Sequence, residues 1–130
     1  MTTEQHGLQA GLVDFSDPAF LLLGESSAFD WLAEQIEQRR SVALQSGSSK
    51  EVACLSLVPS EHEGGRASKK GAILEWQMSA DEATQVARQL RVLASSSLPA
   101  HAYLDPANNL AGLQIIASKG EYDPTRVFAE

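Results

Sequence analysis

Two stretches of the chain carry the same helical spacing of apolar residues, and each directly follows a short apolar run. In ESSAFDWLAEQIEQRR and in MSADEATQVARQLRVLASSS, apolar residues recur at i, i+3, i+4 and i+7, the period of one helix face. Ser27 and Asp30 give the first stretch a start signal, and Ser79 with Glu82 forms a capping box for the second. We predict a helix in each. The stripes are Phe29, Leu32, Ala33 and Ile36 in the first helix, and Ala83, Val86, Ala87, Leu90 and Ala94 in the second.

The two helices align without a gap, so that Phe29 matches Ala83 and Ile36 matches Leu90. Two interpretations of this weak repeat stay open. It reflects an internal duplication, or it reflects only that amphipathic helices resemble one another.

Shorter segments with alternating or continuous apolar residues predict five strands. They are AFLLLGE, EVACLSLVPS, GAILEWQM, HAYLDP and GLQIIAS. The predicted order is β-α-β-β-α-β-β, which favours an α+β fold with two helices packed on one face of a largely antiparallel sheet, as in ferredoxin-like folds. We expect a single domain over residues 1–130, with a flexible N-terminal segment at 1–15 and a mobile loop at 60–71.

Charge and composition narrow the classes of function. Seventeen acidic and 10 basic side chains give a net charge of −7, which disfavours nucleic acid as a partner and favours a basic one. The single cysteine excludes an intramolecular disulfide. The N-terminus lacks a basic region followed by an apolar one, and no apolar run could cross a bilayer. We therefore expect a cytoplasmic protein that contacts no membrane. We also expect it to hold no metal and no cofactor.

The stretch HAYLDP resembles a fragment of an active site. If it is a strand, His101, Tyr103 and Asp105 point to one side, and the first and last lie about 13 Å apart. This distance is too long for one metal ion or for a direct acid–base pair. We predict no catalytic residue and interpret the segment as a contact surface. A small enzyme would require these three residues, or Glu75 in place of Asp105, to converge in a pocket.

Trp31 and the uncovered side of the sheet are further candidates for contact. Trp31 faces away from the first apolar stripe, so either the N-terminal segment LQAGLVDF covers it or a partner does. Because two helices cover one face only, the other face presents a mixture of aliphatic, aromatic and acidic residues. These are Ile73, Glu75, Cys54, Gln114, Ile116, His101 and Tyr103.

In the second half of the chain, the stretch ILEWQMSADEATQVARQLRVLASSSLPAHAYLDP is followed by a closing strand. This part of the chain, residues 72–118, resembles the small immunity proteins of bacterial polymorphic-toxin and secreted-effector systems, including type VI secretion. It implies a cytoplasmic protein that binds a cognate toxin domain and blocks its active site or substrate entry.

On this interpretation the acidic residues Glu34, Glu37, Glu75 and Asp105 would meet a basic toxin surface, with Trp31, His101 or Tyr103 as anchors. The chain itself would be a monomer or a homodimer. An acidic effector or secretion chaperone, or an adaptor module, is the alternative. A chaperone would hold an unfolded or N-terminal segment, whereas an immunity protein would bind the folded toxic domain.

Overall fold

A computed structural model describes residues 7–14, 17–46, 52–61, 65–123 and 127 of the chain. These residues form two helices and eight strands. In chain order they are β1 (Gln9–Asp14), β2 (Pro18–Leu23), α1 (Ser26–Glu37), β3 (Val42–Gln45), β4 (Cys54–Pro59), β5 (Arg66–Lys70), β6 (Ile73–Met78), α2 (Ala80–Ser95), β7 (Ala100–Tyr103) and β8 (Gln114–Lys119).

The strands form two mixed sheets of four, in the orders β1-β2-β8-β7 and β3-β4-β6-β5. The α+β class is therefore confirmed. The predictions of a single, largely antiparallel, ferredoxin-like sheet and of a seven-element order are wrong. Each sheet contains two antiparallel pairs joined by one parallel pair, β2 with β8 or β4 with β6. The first pair joins residues 95 positions apart and the second joins residues 19 apart with β5 between them, so local sequence patterns do not reveal either pair.

The two halves of the chain have the same architecture, β-β-α-β-β. The helices begin 54 residues apart, at Ser26 and Ala80, which is the spacing of the sequence repeat. The parallel registers also correspond: Phe20 of β2 pairs with Ile115 of β8, and Leu74 of β6 pairs with Leu55 of β4. Each sheet thus combines an N-terminal hairpin of one half with a C-terminal hairpin of the other. The repeat is therefore present in the strands and their pairing as well as in the helices.

Three strands were not predicted from the sequence. Strand β1 lies within the segment expected to be flexible at 1–15, and β5 lies within the loop expected at 60–71. Strand β5 has the sequence RASKK, in which only Ala67 is buried, so it lacks the usual alternation of apolar residues. Strand β3 is only four residues long. Of the two expected segments, residues 1–6, 15 and 62–64 lie outside the described residues.

The main core lies between the helices and the inner faces of both sheets. All residues of the two predicted helical stripes are buried, as expected for amphipathic helices. Phe20, Trp76 and Ile115 contribute buried strand residues to the same cluster. Within the described ranges, no helix is long and apolar enough to cross a membrane.

The helix ends differ between the two halves. The capping box of α2 is confirmed: the Ser79 side chain accepts from the Glu82 N–H, and the Glu82 carboxylate accepts from the Ser79 N–H, both at 3.2 Å. The start signal expected in α1 is corrected, because the N-cap is Glu25, without a side-chain bond, and Ser27 and Asp30 lie within the helix. Helix α2 therefore has the better defined start.

Candidate protein-binding site

Strand β7 lies at one end of its sheet and pairs with β8 on one side only. The Leu104 N–H donates to the Ile115 carbonyl at 2.8 Å, which fixes the alternation of backbone groups along this antiparallel pair. Ala100 and Ala102 direct their N–H and C=O groups toward β8, whereas His101 and Tyr103 direct theirs outward. The outward Tyr103 carbonyl accepts a bond of 3.0 Å from Gln89 of α2. No described residue bonds to the outward groups of His101.

The side chains of His101 and Tyr103 form an exposed ring pair on β7. Their rings meet edge to face, with centroids 5.3 Å apart and planes at 83°. The Nδ1 atom of His101 lies 3.0 Å from a carboxylate oxygen of Glu121, and Ser118 donates to the same carboxylate at 2.7 Å. Partial burial acts to raise the pKa of Glu121, but the bonds from His101 and Ser118 outweigh it and lower that pKa. The carboxylate therefore holds the imidazole in one position.

An apolar groove of about 390 Å³ runs between α2 and β7. Its helix side is formed by Arg88, Gln89, Val92, Leu93 and Ser96, and its strand side by Ala100, His101 and Ala102. The alanine side chains of β7 leave space beside the helix, and Val92 is 65% exposed. The groove thus runs alongside the open edge of the strand.

The groove lies where the second half of the chain is longer than the first. Helix α2 has 16 residues and α1 has 12, although both begin at equivalent positions, so Val92–Ser95 are an additional turn. In the strands, the pair of Ala102 and Ala117 corresponds to Val42 and Leu57 in the other sheet. Ala100 and His101 therefore precede the position where β3 begins. Most residues of the groove have no strand or helix counterpart in the first half.

Asp105 and Glu75 do not join His101 in one cluster. Strand β7 ends at Tyr103, so Asp105 lies beyond it and is exposed. Glu75 belongs to the other sheet, where its carboxylate accepts from Gln77 at 2.9 Å and pairs with Lys70 at 3.2 Å. These two bonds, that of Gln77 first, lower the pKa of Glu75. It is a locally paired surface carboxylate.

The candidates on α1 have separate environments. Glu34 is exposed, and Glu37 pairs with Arg91 of α2 at 2.7 Å. Trp31 is half-buried and packs against the main core. Glu37 and Trp31 thus contribute to the contact between α1 and the rest of the molecule.

The other sheet residues expected on an uncovered face are divided between the two sheets. Ile73 is 45% exposed and Gln114 is exposed, as predicted. Ile116 is buried in a second apolar cluster on the outer side of its sheet, with Leu21 and Val13, so its expected exposure is corrected. This outer side is covered in part by Val127.

The environment of Cys54 does not favour a nucleophile. Cys54 is half-buried, and this burial raises the pKa of its thiol, which disfavours the nucleophilic thiolate. Among the described residues, no group of three histidine, cysteine or acidic side chains could hold a metal ion.

The helix side of the groove was not predicted from the sequence; it includes Arg88, Gln89 and Val92. A signal for it exists, because Val92 is an aliphatic residue about 180° around the helix from Ala83 at the start of the buried stripe. An exposed valine on an otherwise polar helix face is the mark of the groove.

Comparison with known proteins gives no family for the chain. No family model matches the sequence, and no curated protein matches it. Among solved structures, the chain is similar to Drosophila Suppressor of Fused, with a TM-score of 0.47 and 11% sequence identity. The similarity covers 92% of this chain and 28% of that one, so the chain spans little more than a quarter of its length.

Proposed function

We propose that this chain is a non-catalytic immunity protein that binds a cognate toxin or effector domain in the cytoplasm and neutralises it. The observation that carries the proposal is the exposed ring pair of His101 and Tyr103 on the open edge of β7. Both residues were candidates from the sequence, within the part of the chain that resembles immunity proteins.

The geometry of this pair suits binding to a protein surface. Aromatic side chains dominate the energetics of many interfaces, because they bury much area for little loss of conformational entropy. His101 is already held by Glu121, so less rotational freedom is lost on association. The edge-to-face contact with Tyr103 restricts the second ring as well.

The charge of the chain supports a basic partner. A net charge of −7 accelerates encounter with a basic toxin at low ionic strength. Glu37 and Glu75 each form an ion pair within the chain. The exposed carboxylates of Glu34 and Asp105 form none with the described residues. We propose them as rim contacts.

Co-expression with the product of the adjacent gene tests the proposal. The chain should restore growth of a bacterial host that expresses this product, and the double variant His101→Ala and Tyr103→Ala should restore it poorly. Ile73→Ala, which removes an exposed aliphatic side chain from the other sheet, is the matched control and should protect fully. If the neighbouring product is not toxic, or its toxicity is not relieved, the proposal fails.

A dedicated effector or secretion chaperone is a second candidate, favoured by the open backbone edge of β7. Such an edge can hold an extended segment of an unfolded partner. The state of the partner distinguishes the two functions. An immunity protein should bind the isolated, folded toxic domain, whereas a chaperone should bind only an unfolded or N-terminal segment.

A further inference from the structure

We propose that the groove between α2 and β7 receives an extended segment of the protein partner, which adds to β7 as a further strand and carries an aliphatic and an acidic side chain. This inference rests on the proposed function as a protein-binding module. It specifies how the partner is recognised, which neither the ring pair nor the net charge does.

The first requirement is a backbone that can accept another strand. His101 directs its N–H and C=O outward, and no described residue bonds to them; the outward Tyr103 N–H is also without a described partner. An added strand would exchange bonds with these groups, as in β-augmentation. The Tyr103 carbonyl is bonded to Gln89, so the side chain of Gln89 marks the end of the available edge.

The second requirement is a place for a side chain of the added strand. Side chains of a strand alternate between its two faces. One set would therefore enter the groove beside Val92 and Ala102, and the other would lie over the rings of His101 and Tyr103. The volume of about 390 Å³ accommodates an aliphatic side chain in contact with Val92. Burying Val92 would also remove an exposed aliphatic surface.

The third requirement is charge complementarity, which is the reason to expect an acidic side chain on the partner segment. Arg88 is exposed on the wall of the groove, and no described carboxylate lies within ion-pair distance of it. Its equivalent on α1, at the spacing of the repeat, is Glu34. The chain is acidic overall, yet this groove carries a guanidinium, which favours a carboxylate on the incoming segment.

Selection from a library of short random peptides displayed on phage, against the immobilised full chain, tests this inference. We expect enrichment of peptides that combine aliphatic residues with an acidic one. Two variants address the groove: Ala102→Leu fills it, and Val92→Glu places a charge on an exposed side chain without disturbing the core. Each should weaken binding of a selected, labelled peptide by about tenfold or more.

The controls separate the groove from a general loss of structure. Leu110→Glu alters another exposed aliphatic side chain, outside the groove, and should leave peptide binding unchanged. Arg88→Glu should shift the selected peptides from acidic to basic. Circular dichroism establishes that each variant is folded. No enrichment on the wild type over Ala102→Leu, or equal binding of the selected peptide to both, would overturn the inference.

Three further outcomes are informative. If the wild type forms a concentration-dependent dimer that Ala102→Leu abolishes, the occupant is a second copy of the chain, and a partner segment is excluded. In the growth assay, full protection by a folded Ala102→Leu variant would refute the groove while retaining the proposed function. Peptide selection in the groove with no neutralisation of the adjacent gene product would refute the immunity function while retaining the groove.

Discussion

The Glu82 carboxylate accepts a hydrogen bond of 2.8 Å from the backbone N–H of Ala107, 25 residues further along the chain. The same carboxylate caps α2 through the Ser79 N–H. Glu82 is buried, at 9% exposure, and therefore connects the start of α2 to the segment that follows β7. This connection helps to fix the two elements that form the walls of the groove.

Replacement of Glu82 by alanine should destabilise the protein, because it removes half of the capping box and leaves the Ala107 N–H without its acceptor. We expect a loss of about 2 kcal/mol in the free energy of unfolding. Denaturant titration followed by circular dichroism measures it. Gln85→Ala, at an exposed position on the same helix, is the control and should change stability by less than about 0.5 kcal/mol. Equal effects of the two substitutions would contradict the role of Glu82.

Gly65 should tolerate alanine poorly, and Gly71 allows the two causes to be separated. Both have positive φ, +37° and +61°. A Cβ at Gly65 would overlap the Glu82 carboxylate and lie 2.7 Å from the Gln77 carbonyl, whereas at Gly71 it would meet nothing within 4 Å. Gly71→Ala should cost about 1 kcal/mol for its backbone alone. Gly65→Ala should cost more, on the order of 3 kcal/mol, by the same denaturant titration; a smaller loss than that of Gly71→Ala would refute the steric argument.

The ion pair of His101 and Glu121 should make stability depend on pH in the acid range. The bonds from His101 and Ser118 lower the pKa of Glu121 in the folded protein, against an opposing effect of partial burial. In the unfolded chain the Glu121 carboxyl has its ordinary, higher pKa and therefore binds the proton more readily. The stabilisation is present above that pKa and is lost as the pH falls through the folded value.

Thermal melting of the wild type and of Glu121→Gln between about pH 6 and pH 3 measures this effect. The wild type should lose more stability over this interval than the variant. Glu34→Gln, at an exposed position on α1, should follow the wild type. A wild-type profile identical to that of Glu121→Gln would show that the pair contributes nothing.

Cys54 should react slowly with an alkylating agent in the folded protein. Burial raises the pKa of its thiol, so the thiolate fraction at neutral pH is below that of a free cysteine. Mass spectrometry after a short exposure to iodoacetamide should find little modification at pH 7 and rapid modification after unfolding in urea. Equally fast reaction in both states would show that the thiol is accessible and activated.

Local sequence patterns were sufficient to predict both helices and the exposure of two residues of the candidate site. The apolar stripes and the capping box of α2 could be predicted because each involves residues close in sequence. The exposure of His101 and Tyr103 followed from strand alternation. Strand β5 was missed because Arg66, Lys69 and Lys70 leave it almost without apolar residues.

The arrangement of two sheets and the groove could not be predicted in this way. The parallel pair of β2 with β8 joins residues 95 positions apart, and that of β4 with β6 joins residues 19 apart with β5 between them. No local signal encodes either register. The groove depends on the additional turn of α2 after Arg91. This turn is recognised as additional only when α2 is compared with the shorter α1. Val92, the valine outside the buried stripe, is its one local signal.

Amide hydrogen exchange of the chain, alone and bound to the toxin domain identified by the growth assay, tests most directly whether β7 is the recognition edge. The outward N–H groups of His101 and Tyr103 have no described acceptor in the free chain and should become strongly protected on binding. Strand β5, at one edge of the other sheet, serves as the internal reference and should change far less. Protection confined to α1 or to the other sheet, with unchanged exchange at His101 and Tyr103, would contradict the account.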